Sequence, residues 1–412
     1  MKIHLIGIGG IGVSALAQYY LSKGYEVSGS DLVASEITDF LKAKGIKIII
    51  GNFAKNIEKD FDLVVHSPAV KADNSELSQA KSYKLKTMSY PEALGELTKE
   101  YYTIAVAGAH GKSTTTAMVA LVLTKAGLDP TVIVGTKLKE FGGSNFRAGK
   151  SKFLVIEACE YDDSFLHYFP KIIVITNIDK EHLDYFKTFA NVKKAFKGFV
   201  AKLPSDGFLV QDAKGKQKDA AKLRRILKVP GEHNVLNALD ALEVARILLI
   251  PDKITFKALS EFKGTWRRFE EKNSKIKNFK IISDYAHHPN EISATLKAAR
   301  EKYPKKKILC VFQPHQHQRT FYLFSDFVKV FSRAAGRIDN IIITDIYDVA
   351  GRETKKINEE VSSEQLVKKI DRKNVCYIPL CDIEKYIKEN IKSGEVLIIM
   401  GAGDIYKLSE KF

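Results

Sequence analysis

Two glycine-rich loops carry the first chemistry in this chain. Gly7-Ile8-Gly9-Gly10-Ile11-Gly12 follows the apolar run Lys2–Ile6, and Gly108-Ala109-His110-Gly111-Lys112-Ser113 follows Thr103–Ala107. A glycine turn between a strand and a helix lets backbone N–H groups and the helix N-terminus hold anionic oxygens. In the second loop Lys112 can reach terminal phosphates and the Ser113 hydroxyl can ligate Mg²⁺. Position 106 is valine where the strict Walker A pattern has glycine, so this loop is the tighter G-x-x-G-K-S form. The first loop matches GxGxxG at Gly7, Gly9 and Gly12, and Asp31 follows 19 residues after Gly12. An acid at that distance meets a ribose hydroxyl. Alone, that pattern fits NAD, another nucleotide or a sugar nucleotide. Two cradles imply two phosphorylated ligands, which favours a ligase or synthetase over a one-cofactor enzyme.

Later clusters narrow the chemistry. Glu157 and Glu160 lie at the end of an apolar strand within FLVIEACEYDDSF, where α/β sheets place ligand groups. After the next strand, TNIDKEHLD sets His182 among carboxylates. A lone carboxylate or histidine is more often a satisfied or solvated side chain. Two clusters at successive strand ends beside a phosphate loop point to a metal. GEHNVLN (231–237), DYAHHP (284–289) and QPHQHQR (313–319) add histidines whose bland alternative is capping of helix and strand ends.

The elements that must position these groups alternate as β and α throughout, which predicts parallel sheets with right-handed crossovers. Strands are expected at Lys2–Ile6, Tyr25–Gly29, Lys47–Ile50 and Leu63–His66; then at Tyr102–Ala107, Thr131–Gly135, Phe153–Glu157 and Ile172–Thr176. A helix over Asn234–Ile250 closes this second unit, after a short, polar and basic stretch, Gln211–Arg225. Further strands are expected at Lys280–Asp284, Lys307–Phe312, Asn340–Asp345, Val375–Pro379 and Val396–Met400. The reading is an α/β protein of three domains, 1–96, 97–263 and 264–412. The first is Rossmann-like, the second is an α/β unit of P-loop type with a parallel-rich sheet, and the third is again Rossmann-like.

Size and composition agree. A chain of 412 residues exceeds one compact core, and 45% apolar with 28% charged residues marks a globular protein. The longest apolar stretches fall short of a membrane span, and the N-terminus reads as a strand and glycine loop instead of a signal peptide. Cys159, Cys310, Cys376 and Cys381 show no zinc spacing, and buried free thiols in a reducing cytoplasm are expected. The net charge of +16 is spread along the whole chain, which argues against a nucleic-acid surface.

At this point the residues resemble the Mur ligases, the ATP-dependent amino-acid ligases of peptidoglycan precursor synthesis, over essentially the whole chain. AGAHGKSTTT matches that family's tight phosphate loop, GEHNVLN its base motif, GTWRRFE its linker arginines, and DYAHHPNE the start of its last domain. GIGGIGVS, EACEYDDSFL, TNIDKEHLDYF, FQPHQHQRT and MGAGDI are most similar to the branch that joins L-alanine to UDP-N-acetylmuramate. The resemblance implies a UDP-sugar-binding first domain using Gly9, Gly10, Ile11, Gly12, Asp31, Ser67 and Glu160. It implies ATP contacts from Gly108, Gly111, Lys112, Ser113, Thr114, His233, Asn237, Arg268 (across a hinge) and Asp284. Mg²⁺ would be served by Ser113, Glu157 and His182. Lys112 would be catalytic, and His287 and Arg319 would face the amino acid, with Tyr285 nearby.

The same resemblance implies a cytoplasmic monomer or homodimer with small-molecule substrates, no nucleic acid and no membrane insertion. Departures from the family pattern are Cys159 for an aspartate, Trp266 for a small residue, Gln316 for an arginine, and a short stretch between Gly207 and Pro230. Open alternatives are a sister ligase taking another amino acid or a muropeptide, an NAD-dependent oxidoreductase, and a non-catalytic nucleotide-binding protein. Choice among alanine, serine and glycine, and lysine carbamylation, are not legible.

Overall fold

The computed structural model describes residues 1–211, 217–348 and 360–412. The chain forms two compact units: Met1–Ile226 with Leu236–Phe262, and Leu227–Val235 with Lys263–Phe412.

The first unit contains two sheets. In the first, β1 (Lys2–Ile6), β2 (Glu26–Asp31), β3 (Lys47–Ile50), β4 (Leu63–His66) and β5 (Thr87–Ser89) are all parallel, in the order β3-β2-β1-β4-β5. The order reverses beside β1, so the crevice at the carboxyl ends of β1 and β4 is a topological switch point. Both the first glycine loop and Ser67 lie there.

The second sheet has β6 (Tyr102–Ala107), β7 (Thr131–Leu138), β8 (Ser144–Arg147), β9 (Phe153–Glu157), β10 (Ile172–Ile175) and β11 (Phe208–Gln211), ordered β11-β10-β6-β9-β7-β8. Only the β7–β8 pair is antiparallel. The central strands read as unbroken apolar runs because both faces are covered; Ile104–Ala107 and Ile172–Ile175 are buried. The helix Lys112–Lys125 lies buried from Ser113 to Leu123. The Gln211–Arg225 stretch starts at the end of β11 and carries the helix Gln217–Ile226, while its residues 212–216 lie outside the described residues.

The second unit holds β12 (Glu270–Asn273), β13 (Lys280–Asp284), β14 (Ile308–Phe312), β15 (Asn340–Ile343), β16 (Val375–Tyr377) and β17 (Val396–Met400), ordered β12-β13-β17-β14-β15-β16. Only β12 runs antiparallel. Three short edge strands, β5, β8 and β12, and the edge strand β11 were not expected from sequence. Edge strands lack the long apolar runs that mark the centre of a sheet.

The cysteine expectation needs correcting. Cys310 is buried in β14, but Cys159 is only half-buried, and Cys376 and Cys381 are exposed. Cys376 sits on edge strand β16 and Cys381 in the first turn of the helix Leu380–Asn390, so apolar neighbours in sequence did not place either inside.

Candidate active site

The first loop is built by backbone bonds to β2. The N–H groups of Gly7 and Ile8 both donate to Ser30 O, at 2.8 and 3.0 Å. Gly7 has φ +77°, and a Cβ there would press on Ser67. Gly10 caps the helix Ile11–Ser22 without a side-chain bond, which leaves the first-turn N–H groups facing outward from a helix start. Asp31 accepts from Gly9 N–H at 2.8 Å and from Val33 N–H at 3.4 Å, so its carboxylate braces the loop itself. Gly12 packs against the Tyr90 ring, where a Cβ would lie 2.8 Å from it. Beneath the loop, buried Glu76 accepts from Ser30 Oγ at 2.6 Å and from Asn56 Nδ2. Burial pushes its pKa up, against those two bonds.

The second loop is gripped by the residues after β10. Asn177 donates through Nδ2 to His110 O (2.8 Å) and accepts His110 N–H at Oδ1 (3.0 Å), while its carbonyl accepts from Ala109 N–H (3.0 Å). Thr176 Oγ1 adds a bond to His110 O at 2.6 Å. His110 Nε2 lies 3.4 Å from Asp179 Oδ2. Gly108 (φ +139°) and Gly111 (φ +84°) have no room for a side chain: a Cβ would overlap Thr176 Oγ1 at the first and Asn237 Oδ1 at the second. The helix beginning at Lys112 is therefore preceded by a stretched backbone with glycine at both tight points. Ser113 and Thr114 are buried in its first turn. Asn237, expected at the base, is in contact with the phosphate loop at Gly111.

Lys112 folds back over its own loop. Nζ donates to Gly108 O at 2.5 Å, to Ala109 O at 3.2 Å, and to both carboxylate oxygens of Glu160, at 3.2 and 3.0 Å. Burial alone would lower the lysine pKa; Glu160, then Cys159 and Glu157, outweigh it, so the net shift is upward. Glu160 thus sits at the phosphate loop, with its side chain 1% exposed. His182 Nε2 lies 3.9 Å from Glu160 Oε1, its ring against Tyr161 at 4.9 Å between centroids. Its φ of +54° marks a tight turn before the short helix Leu183–Phe186. Glu157 Oε2 accepts from Gly135 N–H at 2.8 Å, which fixes this carboxylate at the end of β9. The Cys159 thiol is pushed up to about 12, first by burial and then by Glu160, and stays protonated.

In the second unit, Asp284 at the end of β13 accepts from Phe269 N–H (2.7 Å) and Ala286 N–H (2.8 Å). Burial raises its pKa, with Arg268 acting against. Arg268 Nη1 lies 3.5 Å from Glu291 Oε1 and its guanidinium 4.9 Å from the Tyr285 ring centre. Its neighbour Arg267 is buried, donating to Gly401 O and Gly403 O between the Tyr285 and Tyr406 rings. His287 Nδ1 is 3.1 Å from Tyr285 O and 3.2 Å from Glu291 Oε2. His233 is held down at about 4 by burial, then by Arg268, so it is neutral at pH 7. Arg319 Nη1 lies 3.1 Å from His315 Nδ1, and the His315 ring stacks on Tyr347 at 5.4 Å. His287 and His315 are 6.0 Å apart. Gln316 has φ +72° and donates its N–H to Tyr347 O. Glu291 and Tyr347 carry no sequence signal of their own and were missed. Thr176 and Asn177 were seen only as part of a motif, since nothing local shows that they clamp a loop over sixty residues away.

A largely buried, charged lysine lies over a loop that admits no side chain, and Glu157 and Glu160 add carboxylate oxygens, the atoms that hard cations take as ligands.

Three family descriptions cover most of the chain: the Mur ligase family catalytic domain at residues 2–102, the Mur ligase middle domain at 106–226, and the Mur ligase glutamate ligase domain at 267–403. The chain belongs to the Mur ligase family. Curated relatives named UDP-N-acetylmuramate–L-alanine ligase include one from Clostridium botulinum (strain Hall), 42% identical, and one from Clostridium kluyveri, 40% identical. Each alignment covers 100% of this chain and 97% of the relative, over 454 positions, so the relatives carry segments that this chain lacks. Among solved structures, the UDP-N-acetylmuramate–alanine ligase of Thermotoga maritima superposes with a TM-score of 0.82 at 29% identity, covering 100% of this chain and 98% of that one. A murein peptide ligase from Psychrobacter arcticus shares the fold, with a TM-score of 0.71 at 23% identity over 100% and 98% of the two chains. Among the described residues no helix is long and apolar enough to cross a membrane.

Proposed function

We propose that this chain joins L-alanine to the lactyl carboxylate of UDP-N-acetylmuramate at the expense of ATP, a step of peptidoglycan precursor synthesis. The observation that carries the reading is the pair of cradles in one unit, each with helix-start N–H groups beyond glycine turns, and with a largely buried, charged lysine at the second only. The first loop (Gly9, Gly10, Ile11, Gly12), with Asp31 and Ser67, is the proposed seat of the UDP-sugar. Gly108, Gly111, Lys112, Ser113 and Thr114, with Asn237, take the ATP phosphates. His233, Arg268 and Asp284 are proposed nucleotide contacts of the second unit, and His287 and Arg319, with Tyr285, face the amino acid.

Lys112 must leave Glu160 for the incoming phosphates, an exchange of one anionic partner for another inside a buried site. The carboxylate then attacks the γ-phosphorus, ADP leaves, and an acyl phosphate remains. The alanine amine attacks the acyl carbon and phosphate departs. Glu157, His182 and Ser113 are the proposed holders of Mg²⁺, which would offset phosphate charge. Holding the reactants in line contributes ~7–11 kcal/mol in such reactions.

The test is phosphate release from ATP with Mg²⁺ and UDP-N-acetylmuramate across single amino acids. Release that requires both the sugar nucleotide and L-alanine supports the reading. Release with a tripeptide and with no single amino acid would move the chain to the muropeptide branch.

A further inference from the structure

The helix after the first glycine loop is fixed by a closed polar network. Asn145 on β8 donates through Nδ2 to Ile11 O and to Ser14 Oγ (3.0 Å), and its Oδ1 accepts from Gln18 Nε2 (2.8 Å). Ser144 Oγ donates to Gln18 Oε1 at 2.9 Å, and Gln18 Nε2 also reaches Ser14 O at 3.2 Å. Ser14, Gln18, Ser144 and Asn145 are each at most 4% exposed. Both amide groups are satisfied at each end. Such a buried network specifies one arrangement where apolar packing tolerates several.

The network does not end at the helix. β8 pairs with β7 at Ile133–Phe146 and Leu138–Ser144, and the register breaks between those pairs. Gly135 lies in the break and donates its N–H to Glu157 Oε2 at 2.8 Å. A Cβ on Gly135 would sit 2.7 Å from that oxygen. Gly135, within the break, is the point at which β7 meets that carboxylate. A hydrogen-bonded train runs from Ile11 in the first loop's helix, through Asn145 and the β7–β8 hairpin, to Glu157 at the phosphate-loop side. Lys137, in the same break, adds a 3.1 Å ion pair to Glu36 of the first sheet's second helix.

We propose that Asn145 and Gln18 are positioning residues for ligation: they hold the sugar-nucleotide loop in register with Glu157 and the phosphate loop. Neither touches a reactant. Each sets the angle at which the helix Ile11–Ser22 presents its N-terminus, and so where the reacting carboxylate arrives. This rests on the ligase reading.

The experiment uses full-length Asn145→Ala and Gln18→Leu, with Ser144→Ala as a milder change that keeps the bonds from Asn145 to Ile11 and Ser14. UDP-N-acetylmuramate and a non-hydrolysable ATP analogue are titrated separately by calorimetry, and kcat is read from phosphate release. Each ligand alone is expected to bind as in the wild type. kcat is expected to fall by about 10²-fold in the first two variants, the loss typical of a misplacement near 1 Å, with a smaller loss in Ser144→Ala. An unchanged kcat in folded variants overturns the proposal. So does a parallel fall of kcat, both affinities and melting temperature, which marks a merely structural network. Wild-type release with UDP-N-acetylmuramate and alanine is read first: its absence sinks the ligase reading itself, whereas wild-type turnover with insensitive variants sinks only this inference.

Discussion

Lys112 Nζ and Glu160 Oε2 lie 3.0 Å apart in the first unit, an ion pair whose carboxylate is 1% exposed on its side chain. Each is the other's neutralising partner until an anionic ligand enters. Removing one partner of such a pair leaves an uncompensated buried charge. Lys112→Ala is expected to lower turnover by ~10²–10³-fold, the range for loss of one preorganised electrostatic group, and to spare UDP-sugar binding. Because the net shift on Lys112 is upward, the wild-type pH–rate profile should show no lysine limb below about pH 10. Steady-state kinetics with parallel calorimetry checks both. Equal loss of turnover and sugar-nucleotide binding would contradict the division between the loops.

Gly111→Ala tests the loop by sterics alone. The new methyl would overlap Asn237 Oδ1 at a residue with φ +84°. Positive φ alone costs about 1–3 kcal/mol at a non-glycine residue. The nucleotide affinity should fall at least tenfold while the sugar nucleotide binds normally, as measured by titration of each ligand. Normal ATP affinity would show that the loop has freedom to move that the packing denies.

Two histidines held neutral by their surroundings make stability fall on acidification. His4, between Ser28 and the Phe61 ring, is held down at about 4 by burial and then by Lys47, and His233 at about 4 by burial and then by Arg268. Their folded pKa values lie below the unfolded value near 6.5. Unfolding therefore takes up protons between about pH 6.5 and 4, and stability present above that window is lost through it. Each histidine contributes roughly 3 kcal/mol across the window, at 1.36 kcal/mol per pKa unit. Urea unfolding at stepped pH should show a shallower slope for His4→Phe than for the wild type. Identical slopes would contradict the assignment.

Of the two adjacent arginines in GTWRRFE, Arg267 is the structural one. Its guanidinium bridges the carbonyls of Gly401 and Gly403 between two tyrosine rings. An ammonium cannot stack between those rings as the planar guanidinium does. Arg267→Lys should destabilise the protein by about 2–3 kcal/mol, within the usual range for a broken buried polar network, as read by denaturant unfolding. Arg268→Lys should leave stability near wild type and weaken nucleotide use instead.

The sequence made the sheets and the loops legible, because central parallel strands are continuous apolar runs and the glycine spacing is local. Lys2–Ile6, Phe153–Glu157 and Val396–Met400 fell where expected. The partners of site residues were not legible. Glu160 pairs with Lys112, and Asn237 lies against Gly111. Both contacts join residues distant in the chain, and neither side chain's type distinguishes one anionic ligand from another. Asn145 and Gln18 look like ordinary polar residues until β8, a short edge strand with no apolar run, is seen to pack on the first loop's helix.

The most direct measurement follows oxygen from UDP-N-acetylmuramate whose lactyl carboxylate is labelled with ¹⁸O, with ATP, Mg²⁺ and L-alanine present. Attack of that carboxylate on the γ-phosphorus predicts one labelled oxygen in each inorganic phosphate released and none in the nucleotide. Unlabelled phosphate, or label appearing in AMP, would contradict the carboxylate-to-γ-phosphate chemistry on which the two-loop site depends.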